Sequence, residues 1–154
     1  MSAGNRRGGP ARSSRRRPDR HRRPGRRPNP PEAPRPSVAQ RLETVDRLLA
    51  GTVTDAGGLW PRATAWILRI ALEQLVDELW ARVAPELMRC PMRAQLLALR
   101  AFTGPFTAAR IATLWSALSH ATHHHDYELA PGATELRRWR EETAAIAADL
   151  SAVR

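Results

Sequence analysis

The chain has 154 residues and a formal net charge of +10, with 25 basic residues, all of them arginine, and a single cysteine. That length suits one domain with an appendage. One cysteine excludes an intramolecular disulfide and fits a reducing compartment, and no run of about 18 apolar residues exists to span a membrane.

The charge is divided unevenly. Residues 1–36 hold twelve arginines against Asp19 and Glu32, and so carry the whole formal +10, whereas residues 37–154 balance thirteen arginines with thirteen acidic residues. The first segment also holds eight prolines and four glycines, and no aliphatic side chain larger than alanine after Met1. Such a segment cannot bury enough surface to offset the entropy of ordering, so residues 1–36 are expected to form a disordered tail and residues 37–154 the folded domain. Neither a Sec nor a twin-arginine leader is legible in it, because no apolar stretch follows the arginines. A cytoplasmic location is therefore the expectation.

Arg15-Arg16-Arg17, Arg22-Arg23 and Arg26-Arg27 would attract phosphates without reading sequence, and salt should weaken that attraction steeply. No aromatic residue lies among them to stack on bases. The alternative is a solvated tail with no partner. The absence of lysine has two readings as well, guanidinium gripping of phosphates or a GC-rich genome.

Ser37-Val38-Ala39-Gln40 has the capping-box pattern. Val38, Leu42, Val45 and Leu49 follow at helical spacing, which predicts a first helix to about Ala50. Gly51–Gly58 reads as a loop. Pro61 is placed to open a second, long helix with an apolar stripe of Trp66, Ile67, Ile70, Leu75, Leu79, Trp80 and Val83, ending near Pro85. On its outer faces Arg69 is set to pair with Glu73, and Glu78 with Arg82. Lone Cys90 reads as a packed or loop thiol before Pro91. A third helix is predicted from Pro91 through Leu96, Leu97, Leu99 and Phe102. Thr103-Gly104-Pro105 interrupts it, and a fourth runs from about Thr107 through Ile111, Leu114, Trp115 and Leu118 into the histidines. After Pro131-Gly132 a last helix carries Leu136, Trp139, Ile146, Leu150 and Val153, with Arg137–Glu141 and Arg138–Glu142 on its wet side and Glu135 in a capping position. No segment alternates like a strand. The fold class is all-α, a bundle of about five helices with the tryptophans as core or groove-edge anchors.

The densest chemistry lies between Trp115 and Trp139, where four of the five histidines and the only tyrosine occur. On a continuous helix His120 and His124 would share a face, with His123 beside them. Three readings stay open. His120 and His124 could chelate a divalent metal if Glu73, Asp77 or Asp126 completed the sphere. His120, His123 and His124 could act as acid and base on a ribose 2′-hydroxyl and cleave RNA without metal. Or the histidines only cap a helix end and pack, in a protein–protein adaptor. Tyr127 could stack on a base or bond a phosphate, or simply pack against the last helix. Nothing calls for a cofactor.

The run LSHATHHHDYELAPGATELRRW, Leu118 to Trp139, resembles the histidine-bearing segment of the HEPN superfamily, as does the order of helices around it over about residues 60–153. It is more narrowly similar to small actinobacterial proteins with an HHH-x-YELAP run. The resemblance implies an all-α fold, a homodimer, and roles in RNA cleavage, toxin–antitoxin pairs or phage defence. HEPN nucleases set an arginine four to six residues before a histidine. Here residues 113–120 hold none, and Arg110 lies about 15 Å along a helix from His120. Cleavage would need an arginine from elsewhere, such as Arg69, Arg93 or Arg100, or from a second subunit. The resemblance therefore points to a degenerate, non-cleaving member that binds RNA or DNA through the tail, with a protein partner as a further expectation.

Overall fold

A computed structural model describes residues 34–51, 57–123 and 129–153. The tail expected to be disordered over residues 1–36 falls outside the described residues up to residue 33, as do its arginine clusters, and residues 34–36 lie before the first helix with no regular structure. The unit spanning Arg35–Arg154 is built from four helices: α1 (Val38–Leu49), α2 (Trp60–Val83), α3 (Met92–Thr122) and α4 (Ala133–Ser151). One 3₁₀ turn, Gly57–Leu59, leads into α2, and another, Pro85–Arg89, joins α2 to α3. No strand occurs among the described residues.

Each helix start follows from local chemistry. At α1 the Ser37 hydroxyl accepts the Gln40 amide at 3.2 Å and the Gln40 side chain accepts the Ser37 amide at 2.8 Å, the reciprocal box its sequence announces. α2 opens at Trp60 with Pro61 second, where a missing N–H costs nothing. α4 opens after Gly132, which has no side chain to cap with.

The expected third and fourth helices form one helical run with a break. Gly104 sits at φ 79°, ψ 165°, outside the helical region and in one that only glycine enters at little cost, and Pro105 follows without an N–H to give back. Five helical segments thus resolve into four helices, the third bent. The Gly-Pro interruption is present, but the apolar face continues on either side of it.

α2 packs against α1, α3 and α4, while α4 also touches α1 and α3. Neighbours run antiparallel: Arg62 near the start of α2 reaches Ala121 at the end of α3, and Trp80 near its end meets Phe102. The core follows from that placement. Leu68, Leu72, Val76, Leu79 and Trp80 of α2 have no exposed surface, and Leu99, Ile111, Leu118, Leu136 and Ile146 close over them. The stripe expected for α2 needs correction, because Trp66 is 56% exposed whereas Leu68, Leu72 and Val76 are buried. Likewise Leu97 of α3 points to solvent at 81% exposure. Trp80 is the anchor, edge-on to Phe102 with centroids 5.2 Å apart. Buried Thr64 and Thr143 each donate to the carbonyl one turn back at 2.7 Å, which satisfies their hydroxyls inside the core.

Arginines tie the helices together at the rim. Arg41 donates to Gln74 across α1 and α2 at 3.0 Å, and Arg140 forks onto both Asp46 oxygens at 2.8 and 2.6 Å. Arg110 joins α3 to Glu142 and Asp149 of α4 at 2.8 and 2.7 Å. Arg82 donates to the Leu150 carbonyl at 2.8 Å, which together with its bond to the Glu78 carbonyl replaces the expected Glu78–Arg82 ion pair. Glu142 is taken by Arg110 in place of the expected Arg138. Each such solvent-facing tie contributes on the order of 0.2–1 kcal/mol.

Gly104→Ala is expected to destabilise the fold by about 1–3 kcal/mol in urea unfolding, although no atom stands where the new methyl would go, because the cost is backbone strain at positive φ. A cost under about 0.3 kcal/mol would mean that the helix straightens at this point in solution.

Candidate functional site

The second half of α3 presents small side chains, Ala112, Ser116, Ala117 and Ala121, toward the first turns of α4. Small residues leave space between the two helices. A cleft of about 900 Å³ opens there, and Arg62, Thr113, Ser116, His120, Glu135 and Trp139 supply its polar and aromatic lining. A second depression of about 620 Å³ continues along the same helices, sharing Thr113, Ala117 and Trp139 and ending at Phe106 and Arg110. Phe106 is 75% exposed, with the Arg110 guanidinium 5.7 Å from its ring centroid.

His120 is an exposed residue in the last turn of α3 and lines the cleft. The helix then stops. His123 takes up φ −75°, ψ 125° and caps the end, its N–H donating to the Ser119 and His120 carbonyls at 3.2 Å each. Arg62 reaches across from α2 and donates to the carbonyls of Ala121 and His123, both at 3.3 Å. The described helix therefore ends at Thr122 with His123 as its cap, and the expected one-turn pairing of His120 with His124 falls outside the described residues. The physical reason is the competing end signal: free carbonyls at the α3 terminus find a cation in Arg62 rather than another turn. His124, His125, Asp126, Tyr127 and Glu128 lie outside the described residues.

Of the carboxylates considered as metal partners, Glu73 and Asp77 do not line the cleft that holds His120. Glu73 accepts both the Trp115 indole N–H at 2.9 Å and the Arg69 guanidinium at 3.0 Å, while Arg69 also lies 5.6 Å from the Trp115 ring centroid. Among the described residues no three His, Cys, Asp or Glu side chains converge as a metal-binding group. Asp77, one turn beyond Glu73, is held above the usual carboxylate range, chiefly by burial and then by the Glu73 charge, with Arg35 opposing. Cys90 is half-buried at the turn before α3, where its carbonyl accepts from the Gln95 side chain at 2.9 Å.

No family model matches the chain. Neither does any curated protein or solved structure. The candidate site thus stands on its own geometry.

Of the arginines considered as phosphate cations for cleavage, Arg69 is engaged with Glu73 and Trp115, and Arg93 and Arg100 lie on the far half of α3 beyond the Gly104 break. The cation beside His120 is Arg62, which the sequence did not single out. Its position in the first turn of α2 is far from the histidines along the chain, and only the antiparallel pairing of α2 with α3 brings the two together. Trp139, expected as a core or groove-edge anchor, lines the cleft while packing partly buried against the core, and Glu135, expected to cap α4 and found in its first turn, lines it too.

Burial and the Glu73 charge make the Asp77 carboxylate a cost to the fold. Its charged form is disfavoured in the folded state, so Asp77 costs stability at neutral pH, and that cost is lost as pH falls through the raised value toward the unfolded one, 3.8. Asp77→Asn is expected to raise the Tm at pH 7, with the gain shrinking to nothing below pH 3.8. A lowered Tm at pH 7 would show that the carboxylate is stabilised by a neighbour.

Proposed function

We propose that the chain is a nucleic-acid-associated regulatory or defence component, in the manner of a HEPN-like domain that no longer cleaves, and that its arginine-rich tail holds RNA or DNA without reading sequence. The observation that carries this is the allocation of arginine. In the body Arg41, Arg62, Arg69, Arg82, Arg110 and Arg140 are bonded to protein oxygens, most of them joining helix to helix, at the rim or at helix ends. The tail holds the net charge. Nonspecific affinity for a polyanion follows from a net positive charge that neighbouring acidic residues do not balance.

The non-cleaving reading is supported at His120. Metal-independent cleavage needs a cation aimed at the phosphate in the transition state, and the arginine that lines the cleft with His120 spends hydrogen bonds on two backbone carbonyls. A homodimer is the proposed assembly, with exposed Phe106 beside the α3/α4 depression as the surface a second copy would cover. No helix among the described residues is long and apolar enough to cross a membrane, and a cytoplasmic location with a protein partner is part of the same proposal.

The test uses the full chain and labelled single-stranded RNA with EDTA present. Binding without cleavage is expected, with an affinity that falls linearly on a log–log salt plot. Changing Arg15, Arg16, Arg17, Arg22, Arg23, Arg26 and Arg27 together to serine should lower that slope by about 5, at ~0.7 for each phosphate no longer neutralised. An unchanged slope would sink the tail as the tether. RNA cleavage abolished by His120→Ala/His123→Ala would establish an RNase in place of a binding domain. For the assembly, Phe106→Glu is expected to convert a sedimenting dimer to monomer, and a dimer that survives it is held by another surface.

A further inference from the structure

Residues 87–125, which include the whole of α3, contain no aspartate or glutamate, the nearest acid before them being Glu86 in the preceding 3₁₀ turn. Within that stretch Arg110 is drawn off to Glu142 and Asp149 of α4. Arg89, Arg93 and Arg100 are exposed, and no hydrogen bond or ion pair ties them to the described residues. Arg93 and Arg100 are seven positions apart, which is nearly two whole turns, so they rise from one face of α3 about 10 Å apart along its axis. Leu97 stands between them at 81% exposure. Arg89 lies in the 3₁₀ turn that leads into the same end of the helix. On α4, by contrast, Arg137 and Arg138 make no ion pair of their own among the described residues but have acid within one turn, Glu141 after them and Glu135 before them, while Glu142 is drawn off to Arg110.

We propose that Arg89, Arg93 and Arg100 form a phosphate-gripping strip on the folded body, a second contact for a nucleic-acid strand beyond the tail. The proposal rests on the nucleic-acid reading above and adds a site to it. A separation of about 10 Å spans roughly three nucleotide steps of a strand at ~3.4 Å each, within reach of two long guanidinium side chains. With no carboxylate on α3 to compete, Arg93 and Arg100 keep counterions that a polyanion releases, and Arg89 adds to them from a turn that holds one acid, Glu86, with which it makes no ion pair. Leu97 gives the strip an apolar step on which the face of an unpaired base can rest. The strip carries no aromatic ring and no hydrogen-bonding pair for base edges, so it reads charge and not sequence.

The experiment follows the anisotropy of a labelled single-stranded RNA of about 20 nucleotides bound by the full chain between about 50 and 200 mM salt. Arg89→Ser/Arg93→Ser/Arg100→Ser is expected to lower the salt slope by about 2, at ~0.7 for each phosphate no longer neutralised. Arg137→Ser/Arg138→Ser should leave it nearly unchanged. Leu97→Glu, which sets a negative charge between Arg93 and Arg100 at an exposed position, is expected to weaken binding several-fold, with the helical circular dichroism intact. A triple variant whose slope stays within about 0.5 of the parent, while the tail variant's slope falls, overturns the strip and leaves the tail reading standing. Equal losses from the α4 pair and the strip overturn it as well, since the cations would then act only through net charge. A parent chain that binds no RNA overturns both readings at once.

Discussion

Helix α2 is covered on three sides by α1, α3 and α4, and a helix so enclosed needs apolar side chains around most of its circumference. Leu68, Leu72, Leu75, Val76, Leu79 and Trp80 meet that need, while the remaining face carries Trp66, Arg69 and Glu73. The other helices depend on it. α1 is short and lies across α2 and α4, and both halves of bent α3 find their buried partners on α2. Removing the anchor at Trp80 would take away the packing that fixes the first half of α3 through Phe102.

The rim is organised by a different chemistry. Guanidinium groups offer several donors in a rigid fork, and here they answer carboxylates in some places and bare helix-end carbonyls in others. Arg82 at the end of α4 and Arg62 at the end of α3 do the second job, where a cation also meets the negative pole of the helix. A body rich in arginine and devoid of lysine can therefore be electrically quiet over most of its surface. An unengaged group of cations lies on the outer side of α3, and the sum of charges over residues 37–154 gives no hint of that concentration.

Much of the fold was legible in the chain. The Ser37–Gln40 box, the Pro61 start, the break at Gly104 and the apolar register of α4 all rest on interactions within a few residues, which sequence reports directly. The stripe of α2 was misjudged because periodicity assumes one buried face, and this helix has nearly three. The end of the helix that carries His120 was hidden for a related reason. Spacing alone gives no sign of where α3 ends, whereas in the structure the helix closes at Thr122 with Arg62, about sixty residues earlier, bonded to its terminal carbonyls. Arg62, Glu135 and the small side chains of α3 make the cleft only through antiparallel packing, so no local pattern announces it. The charge split between tail and body was plain from composition, whereas the division of the body's arginines into bonded and unbonded groups needed the structure.

The interruption at Gly104 also divides α3 dynamically. Pro105 has no amide hydrogen, and the residue before it leaves the helical region, so the ladder of backbone bonds is not continuous across this point. Helical cooperativity passes from turn to turn through those bonds. The segment before the break, held by Leu96, Leu99 and the Phe102–Trp80 contact, can open while the segment after it stays closed over Ile111, Leu114 and Leu118. One helix by outline is thus two units of opening, and the outward basic face and the histidine-bearing cleft belong to different ones.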